Sequence, residues 1–154
     1  MSWQHYLFKP WGNYVCNYRF ACSKAAGRWV FGNRRDVKVI HNAIDAQAYA
    51  FDGVIRQRLR SELGVEQKFV VGFVGKLHEQ KNLFRALDIF KAVKNRREDL
   101  DFLLVGEGDQ RDELERYAVK NEIADSVRFL DRRDNVNALM MAFDVFLLLS
   151  SLSL

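Results

Sequence analysis

The stretch KFVVGFVGKLHEQKNL, at residues 68–83, decides the fold. Residues 69–74 are β-branched or aromatic apart from one glycine, and they show no polar alternation, as expected for a strand buried on both faces of a parallel sheet. Gly75 can then turn the chain before Lys76. The helical spacing of the apolar residues that follow predicts a helix with Lys81 in its first turn.

The predicted place of Lys81 points to a bound anion. A helix N-terminus carries partial positive charge and unpaired N–H groups, so a lysine there is locally unfavourable. The other helices of this region are predicted to begin with acidic residues, at Asp109 and Asp134. A phosphate held by Lys76, Lys81 and backbone amides would remove the conflict. The alternative, which the lysine alone leaves open, is a solvated side chain that leans outward and costs only a few tenths of a kcal/mol.

From residue 68 onward, strands and helices alternate. The predicted strands cover residues 68–74, 101–105, 127–130 and 144–149, and the predicted helices cover residues 81–97, 109–122 and 134–142. Such alternation requires right-handed crossovers and predicts an α/β fold, a doubly wound parallel sheet with helices on both faces. Ligands of these sheets bind outside the carboxyl ends of the strands. Those ends are followed here by Gly75-Lys76, Gly106-Glu107-Gly108, Asp131-Arg132-Arg133 and Ser150-Ser151.

The first part of the chain is organised differently. The predicted elements are a strand at residues 18–23, a helix at 24–31, a strand at 37–40 and a helix at 53–63. Residues 1–16 carry aromatic side chains without a regular period, which suggests a segment that packs against another surface.

Composition argues against several classes of protein. The 154 residues are 49% hydrophobic, and 24 basic against 20 acidic side chains give a net charge of +4. The basic residues are scattered and mostly accompanied by acids, which argues against a nucleic-acid partner. The two cysteines stand without a CxxC spacing or a histidine pair, so we expect no metal site. Neither a signal peptide nor a membrane-spanning run is recognised, which predicts a cytoplasmic protein, with attachment to the inner face of the membrane left open.

The loops at the predicted carboxyl ends contain no complete nucleotide motif. A third glycine is missing after Gly106 and Gly108, and acidic residues follow, so these glycines favour a tight turn whose backbone borders a ligand. Without GxGxxG or GxxxxGK[ST], nicotinamide or flavin dehydrogenases and the common nucleotide triphosphatases are disfavoured. Arg132 and Arg133 could approach an anion, but we expect the aspartates on either side to neutralise them in local salt bridges.

Taken together, the ordered motifs resemble the family 4 glycosyltransferases of the GT-B fold, particularly bacterial enzymes that build capsular polysaccharides or exopolysaccharides. Two early segments resemble the serine-containing strand and the linker between the two domains: ACSKAAGRWVFG and VKVIHNAIDAQAYAF. A third, VVGFVGKLHEQKN, resembles the donor-phosphate loop. The later strand and helix motifs are matched by FLLVGEG and VRFLDRRDNVNALMMAFDVFLL.

The resemblance implies a Rossmann-like domain that binds a nucleotide sugar, with a UDP-sugar favoured by analogy. Gly75, Lys76 and Lys81 would bind the donor diphosphate. Lysine at residue 76, where the family more often has arginine, keeps the charge but loses bidentate geometry. Transfer would retain the anomeric configuration, and lysine charge with helix-end amides would stabilise the departing diphosphate without an essential metal or a cofactor.

The resemblance also divides the chain. Residues 1–64 would be a remnant of the preceding domain with the interdomain segment, and residues 65–154 an incomplete Rossmann-like nucleotide-sugar-binding domain. Within the latter, four residues would border the nucleotide: Gly106, Gly108, Phe129 and Asp131. The acceptor, a polysaccharide or a lipid-linked saccharide, would be bound by a domain that this chain lacks.

Two departures from the family pattern predict an incomplete enzyme. The family continues after its last strand with a proline-serine turn and a glutamate-glycine motif, whereas this chain reads LLLSSLSL at residues 147–154. Ser153 stands about where the first glutamate is expected, and we expect almost the whole acceptor domain to be missing. We therefore expect a fragment that is inactive alone, with exposed apolar surface beside residues 144–154 and low solubility. A noncatalytic α/β binding module or a decayed gene product is the alternative.

Overall fold

The computed structural model describes residues 15–150 of the chain. The chain divides between residues 46 and 47 into two compact units. The aromatic residues at positions 1–14 lie outside the described part, as do residues 151–154 with Ser153. No helix within residues 15–150 is both long and apolar enough to cross a membrane.

The first unit contains two short parallel strands joined by a helix. Strand β1 (Arg19–Ala21) is followed by helix α1 (Lys24–Phe31) and strand β2 (Val37–Val39), and the two strands pair. The Ser23 hydroxyl caps α1 by accepting a hydrogen bond from the backbone N–H three residues later at 3.1 Å. Gly32, with φ 72°, ends the helix. These elements confirm the predicted strand, helix and strand.

The second unit is a four-stranded parallel sheet with helices. Its elements in chain order are α2 (Gly53–Glu62), β3 (Phe69–Val74), α3 (Leu83–Lys94), β4 (Leu100–Val105), α4 (Arg111–Lys120), β5 (Val127–Leu130), α5 (Val136–Met141) and β6 (Val145–Phe146). The strand order is β5-β4-β3-β6, and every pairing is parallel. This confirms the predicted α/β class. Helix α2 belongs to this unit, although the division at residue 64 assigns it to the N-terminal part.

The sheet has an apolar layer on each face because successive side chains of a strand point to opposite sides. Phe102 and Leu104 of β4 belong to one buried cluster with the apolar sides of α3 and α4. Leu103 and Val105 belong to a second cluster, which includes Leu139 of α5. All six residues of β4 are buried, as is typical of a central strand in a doubly wound sheet.

Strand β3 is where the strand order reverses. Strands β4 and β5 follow on one side of it, and the chain then returns to add β6 on the other side. In open α/β sheets, ligands bind outside the carboxyl ends of the strands at such a reversal. The loop after β3, which contains both predicted phosphate-binding lysines, therefore lies at the edge where a ligand is expected.

The predicted helix start beside Lys81 is wrong by two residues. Glu79–Lys81 forms a separate 3₁₀ turn, in which the Lys81 N–H donates to the His78 carbonyl at 2.8 Å. Asn82 then adopts the left-handed conformation, with φ 50°, which interrupts the helical run. Because α3 begins at Leu83, Lys81 precedes the helix and does not lie in its first turn.

Strand β6 is shorter than the strand predicted at residues 144–149. It pairs with β3 over Val145 and Phe146, and the next backbone bond to β3, from the Leu147 N–H at 2.8 Å, is the last one within residues 15–150. The expected exposure of apolar side chains at this edge is confirmed, since Val145 is 44%, Phe146 42% and Leu148 54% exposed. The low solubility that should follow from this exposure stays a prediction.

Two arginines of α2 attach the start of β6 to the sheet. Arg56 donates to two backbone carbonyl oxygens at the end of α5, at 2.7 and 2.8 Å, and to Asp144 at 2.6 Å. Arg60 donates to Asp144 at 3.1 Å. The Asp144 carboxylate also accepts the Val70 N–H at 2.7 Å, so it connects α2, β3 and β6.

Neutralising Asp144 should weaken the acid sensitivity of folding. Burial opposes ionisation of this carboxyl, but the bonds from the Val70 N–H, Arg56 and Arg60 hold its pKa below the ordinary value of 3.8. A lowered folded-state pKa gives stability that is fully present above pH 3.8 and is lost as the pH falls through the folded-state pKa. We expect Asp144→Asn to be less stable than the wild type at neutral pH and to lose less further stability between about pH 4 and pH 2, measured by urea unfolding. An equal acid loss in both proteins would contradict this role.

Candidate functional site

A cleft of about 510 Å³ lies at the carboxyl ends of β3, β4 and β5. Its lining residues come from the ends of these strands, the loops that follow them and the start of α5: Val74, Gly75, Lys76, Val105, Gly106, Glu107, Gly108, Arg132, Arg133 and Val136. The volume is in the range of small-molecule sites, and the position is the one that doubly wound sheets use for ligands.

Backbone hydrogen bonds continue the sheet into the loops of the cleft. The Gly75 N–H donates to the last carbonyl of β4 at 3.0 Å, and the Leu77 N–H donates to the Glu107 carbonyl at 2.9 Å. The Gly106 N–H donates to the last carbonyl of β5, also at 3.0 Å. The three loops are therefore fixed to one another, and Lys76 is presented from a defined backbone.

The loops also approach one another too closely for side chains at two glycines. A Cβ atom at Gly106 would lie 2.0 Å from the Gly75 carbonyl oxygen. A Cβ atom at Gly108 would lie 2.1 Å from the Leu77 carbonyl oxygen. The pair of glycines that the sequence suggests for a tight turn is thus required for packing of the β3 and β4 loops.

The cleft is lined by more cations than carboxylates. Lys76, Arg132 and Arg133 belong to the lining, and Glu107 is the only acidic residue among the lining residues. The predicted local salt bridges of the two arginines with their neighbouring aspartates are wrong. Within residues 15–150, neither arginine forms an ion pair with a carboxylate.

Asp131 is bound by a different arginine, the first residue of α4. The Arg111 guanidinium contacts the Asp131 carboxylate, donates to Glu115 at 2.9 Å and lies 5.8 Å from the centre of the Phe129 ring. The hydrogen bond to Glu115 and then that to Asp131 raise the pKa of Arg111 above its ordinary value, against the opposing effect of burial. Asp131 therefore compensates the charge of Arg111 and leaves the cleft arginines without a carboxylate partner.

Three of the predicted site residues lie outside the lining of the cleft. Lys81 extends towards the segment after β6, where its Nζ atom is 3.4 Å from the Ser150 hydroxyl oxygen. Phe129 is partly buried and packs against the core beneath α3 and α4. Asp131 is the third residue outside the lining, and its carboxylate contacts Arg111. The predicted residues that line the cleft are Gly75, Lys76, Gly106 and Gly108.

Sequence reasoning considered Arg132 and Arg133 as anion-binding residues but set them aside in favour of local salt bridges. The signal in their favour was their position in the loop that follows β5, at the carboxyl ends of the strands, where ligands bind. Proximity in sequence to acidic residues was the wrong guide to their partners. The residue that binds Asp131 is 20 positions away in the chain.

The chain is similar to known glycosyltransferases in sequence. Residues 55–152 match the family described as Glycosyl transferases group 1. EpsF of Bacillus subtilis (strain 168), which is named as a glycosyltransferase, is 30% identical over 133 residues, or 83% of this chain and 35% of that protein. The 2-deoxystreptamine glucosyltransferase of Streptomyces kanamyceticus is 28% identical over 119 residues, or 75% of this chain and 31% of that enzyme. This chain thus spans about a third of the length of these curated relatives.

Solved structures are similar over most of the chain. Anabaena Alr3699/HepE in complex with UDP and glucose gives a TM-score of 0.80 at 26% identity, over 95% of this chain and 41% of that chain. The same protein in complex with UDP-glucose gives a TM-score of 0.77 at 26% identity, over 95% of this chain and 42% of that chain. WaaG, a glycosyltransferase involved in lipopolysaccharide biosynthesis, shares the fold, with a TM-score of 0.73 at 20% identity over 85% and 37%. With a family match over residues 55–152 and this parallel sheet, the chain belongs to the Glycosyl transferases group 1 family, of the GT-B fold and similar to family 4.

Proposed function

We propose that the cleft binds the diphosphate of a nucleotide-sugar donor, with UDP as the nucleotide. The observation that carries the proposal is the cationic lining, in which Lys76, Arg132 and Arg133 outnumber the single carboxylate of Glu107. A diphosphate requires such compensation of its charge, and the carboxyl edge of the sheet is the expected place for it. The similar structures of Alr3699/HepE contain UDP or UDP-glucose, which supports a UDP-sugar as the ligand.

In this proposal, Gly75, Lys76 and Lys81 contact the diphosphate, together with amides at the start of α3. The first backbone bond of α3 runs from the Ala86 N–H to the Asn82 carbonyl at 3.2 Å, and the Asn82 side chain makes no capping bond. The N–H groups of residues 83–85 are therefore free of helical partners and can donate to an anion. In transfer with retention, as the family resemblance implies, these cations and amides stabilise the leaving diphosphate without an essential metal.

The nucleoside part is proposed to lie beside Gly106, Gly108, Phe129 and Asp131. The two glycines contribute backbone to the wall of the cleft, where no side chain restricts access. Phe129 of β5 and Asp131, in the loop after β5, both contact Arg111. The cleft residues Arg132 and Arg133 follow in the same loop.

Sugar transfer is proposed for an enzyme of the relatives' full length, with a polysaccharide or a lipid-linked saccharide as the acceptor. Since this chain spans about a third of those relatives, we propose that it binds the donor and is inactive alone. The same proposal places the protein in the cytoplasm, either free or in peripheral contact with the inner face of the membrane. The alternative, a noncatalytic α/β module or a decayed gene product, would share the fold without a functional donor site.

Calorimetric titration with UDP tests the donor site. We expect the folded wild-type chain to bind UDP and Lys76→Ala to bind it about tenfold more weakly, because a charge-assisted phosphate contact is lost. The matched control is Lys120→Ala. Lys120 is an exposed lysine at the C-terminal end of α4, and it does not line the cleft. Its UDP affinity should equal that of the wild type.

Two results would contradict the proposal. One is the absence of UDP binding to a chain whose folding has been verified by a cooperative unfolding transition. The other is equal UDP affinity of the wild type, Lys76→Ala and Lys120→Ala. The first result would favour the noncatalytic alternative, whereas the second would move the phosphate away from Lys76.

A further inference from the structure

The charge of the cleft depends on a contact outside its lining. Asp131 directly precedes Arg132 and Arg133, so its carboxylate is well placed in the chain to neutralise one of them. It contacts Arg111 instead. We infer that Arg111 is a positioning residue, which binds Asp131 and thereby keeps Arg132 and Arg133 available to the anionic part of a ligand.

Two contacts fix Arg111 in this role. Its side chain is 29% exposed, donates to Glu115 one helical turn later at 2.9 Å and lies over the Phe129 ring. The Asp131 side chain is 69% exposed and belongs to a loop. The arginine is therefore the fixed partner of the pair, and the carboxylate is the partner whose position depends on it.

Removal of Arg111 should therefore change the charge of the cleft without changing its lining. The Asp131 carboxylate would lose its cation, and the adjacent residues Arg132 and Arg133 would become its nearest alternatives. An ion pair with either arginine would cancel one of the three positive charges that line the cleft. The effect is electrostatic, so a second substitution that removes the charge of Asp131 should reverse it.

The experiment compares the wild type, Arg111→Ala and the double variant Arg111→Ala/Asp131→Asn by calorimetric titration with UDP and, separately, with inorganic pyrophosphate. We expect Arg111→Ala to bind both ligands about three- to tenfold more weakly than the wild type. The double variant should recover wild-type pyrophosphate affinity to within about twofold, because asparagine cannot neutralise an arginine and pyrophosphate has no nucleoside part to contact residue 131. Its unfolding temperature should stay as low as that of Arg111→Ala, since the contacts to Glu115 and Phe129 are still missing.

Arg97→Ala is the matched control. Arg97 makes two hydrogen bonds to Asp99, at 2.6 and 2.9 Å, and lies 4.2 Å from the centre of the Phe69 ring. It repeats the arginine, aspartate and phenylalanine arrangement of Arg111 at the amino ends of β3 and β4, away from the cleft. Its substitution should leave the affinities for UDP and pyrophosphate unchanged.

The outcomes separate this inference from the proposed function on which it rests. Pyrophosphate binding that follows the expected loss and recovery supports the inference even if UDP does not bind, in which case the donor proposal fails. UDP binding that Arg111→Ala leaves unchanged overturns the inference alone. A loss of pyrophosphate affinity that Asp131→Asn does not reverse also overturns it, because Arg111 would then act by direct contact or by structure. A wild-type chain that binds neither ligand overturns both.

Discussion

Arg60→Ala should reduce the free energy of unfolding by about 3 kcal/mol, one of the two largest losses that we expect from a single substitution in this chain. The Arg60 guanidinium donates to the carbonyl oxygens of Ala142 and Val65, both at 2.9 Å, and it also contacts the Lys68 carbonyl. Arg60 also bonds to Asp144, so it connects α2 with the residues before β3 and the residues before β6. Alanine would take the Arg60 donor from the buried Ala142 carbonyl oxygen and one of the two donors from the buried Val65 carbonyl oxygen, which costs more than the loss of an average hydrogen bond.

The control for this prediction lies on the same helix. Arg58 pairs with Glu62 at 3.5 Å, but the two side chains are 66% and 59% exposed. An exposed pair at this spacing contributes only about 0.3–0.5 kcal/mol, so Arg58→Ala should have a small effect. Urea unfolding of both variants at neutral pH gives the comparison. If Arg60→Ala is no less stable than Arg58→Ala, the buried arginine does not hold the sheet as described.

Gly108→Ala should cost about 2–3 kcal/mol of stability and should also abolish the binding of UDP proposed above. Its new methyl group would lie 2.1 Å from the Leu77 carbonyl oxygen, a backbone atom that already accepts the Gln110 N–H at 3.2 Å. The Leu77 N–H donates to the Glu107 carbonyl at 2.9 Å, so this oxygen cannot move without breaking the contact between two loops. Both folding and the shape of the cleft should therefore change.

Gly53→Ala is the matched control, because this glycine opens α2 with the nearest heavy atom 4.0 Å from an added Cβ atom. Alanine there should leave the unfolding free energy unchanged or raise it by about 0.4–1 kcal/mol through the lower entropy of the unfolded chain. UDP titration and urea unfolding of both glycine variants make the test. A Gly108→Ala chain with wild-type stability and affinity would mean that the loops separate at little cost.

The sequence predicted the order of the strands and helices well because hydrophobic periodicity is a local property. Residues 69–74 contain no polar side chain, which predicts a buried strand, and β3 occupies the same range, Phe69–Val74. The start of α3 could not be predicted in the same way. It depends on the left-handed backbone of Asn82, which leaves the side-chain pattern almost unchanged while moving Lys81 out of the helix.

The candidate site was less predictable than the fold because its charges are set by contacts between distant residues. Lys76 could be found, since it follows a buried strand and a glycine. The availability of Arg132 and Arg133 depends on the choice of Asp131 between adjacent arginines and Arg111. A single sequence contains no signal for that choice until the β5 loop and the start of α4 are brought together.

The bonded loops of the cleft separate the requirements of folding from those of recognition. Gly75, Leu77, Gly106 and Gly108 make the contacts between the loops, whereas the side chains of Lys76 and Glu107, placed between them, are exposed. An exposed side chain on a fixed backbone can be replaced at little cost to stability. The same scaffold could therefore accept ligands of different charge through changes at residues 76 and 107 alone, and ligand choice could diverge in this architecture without rebuilding the sheet.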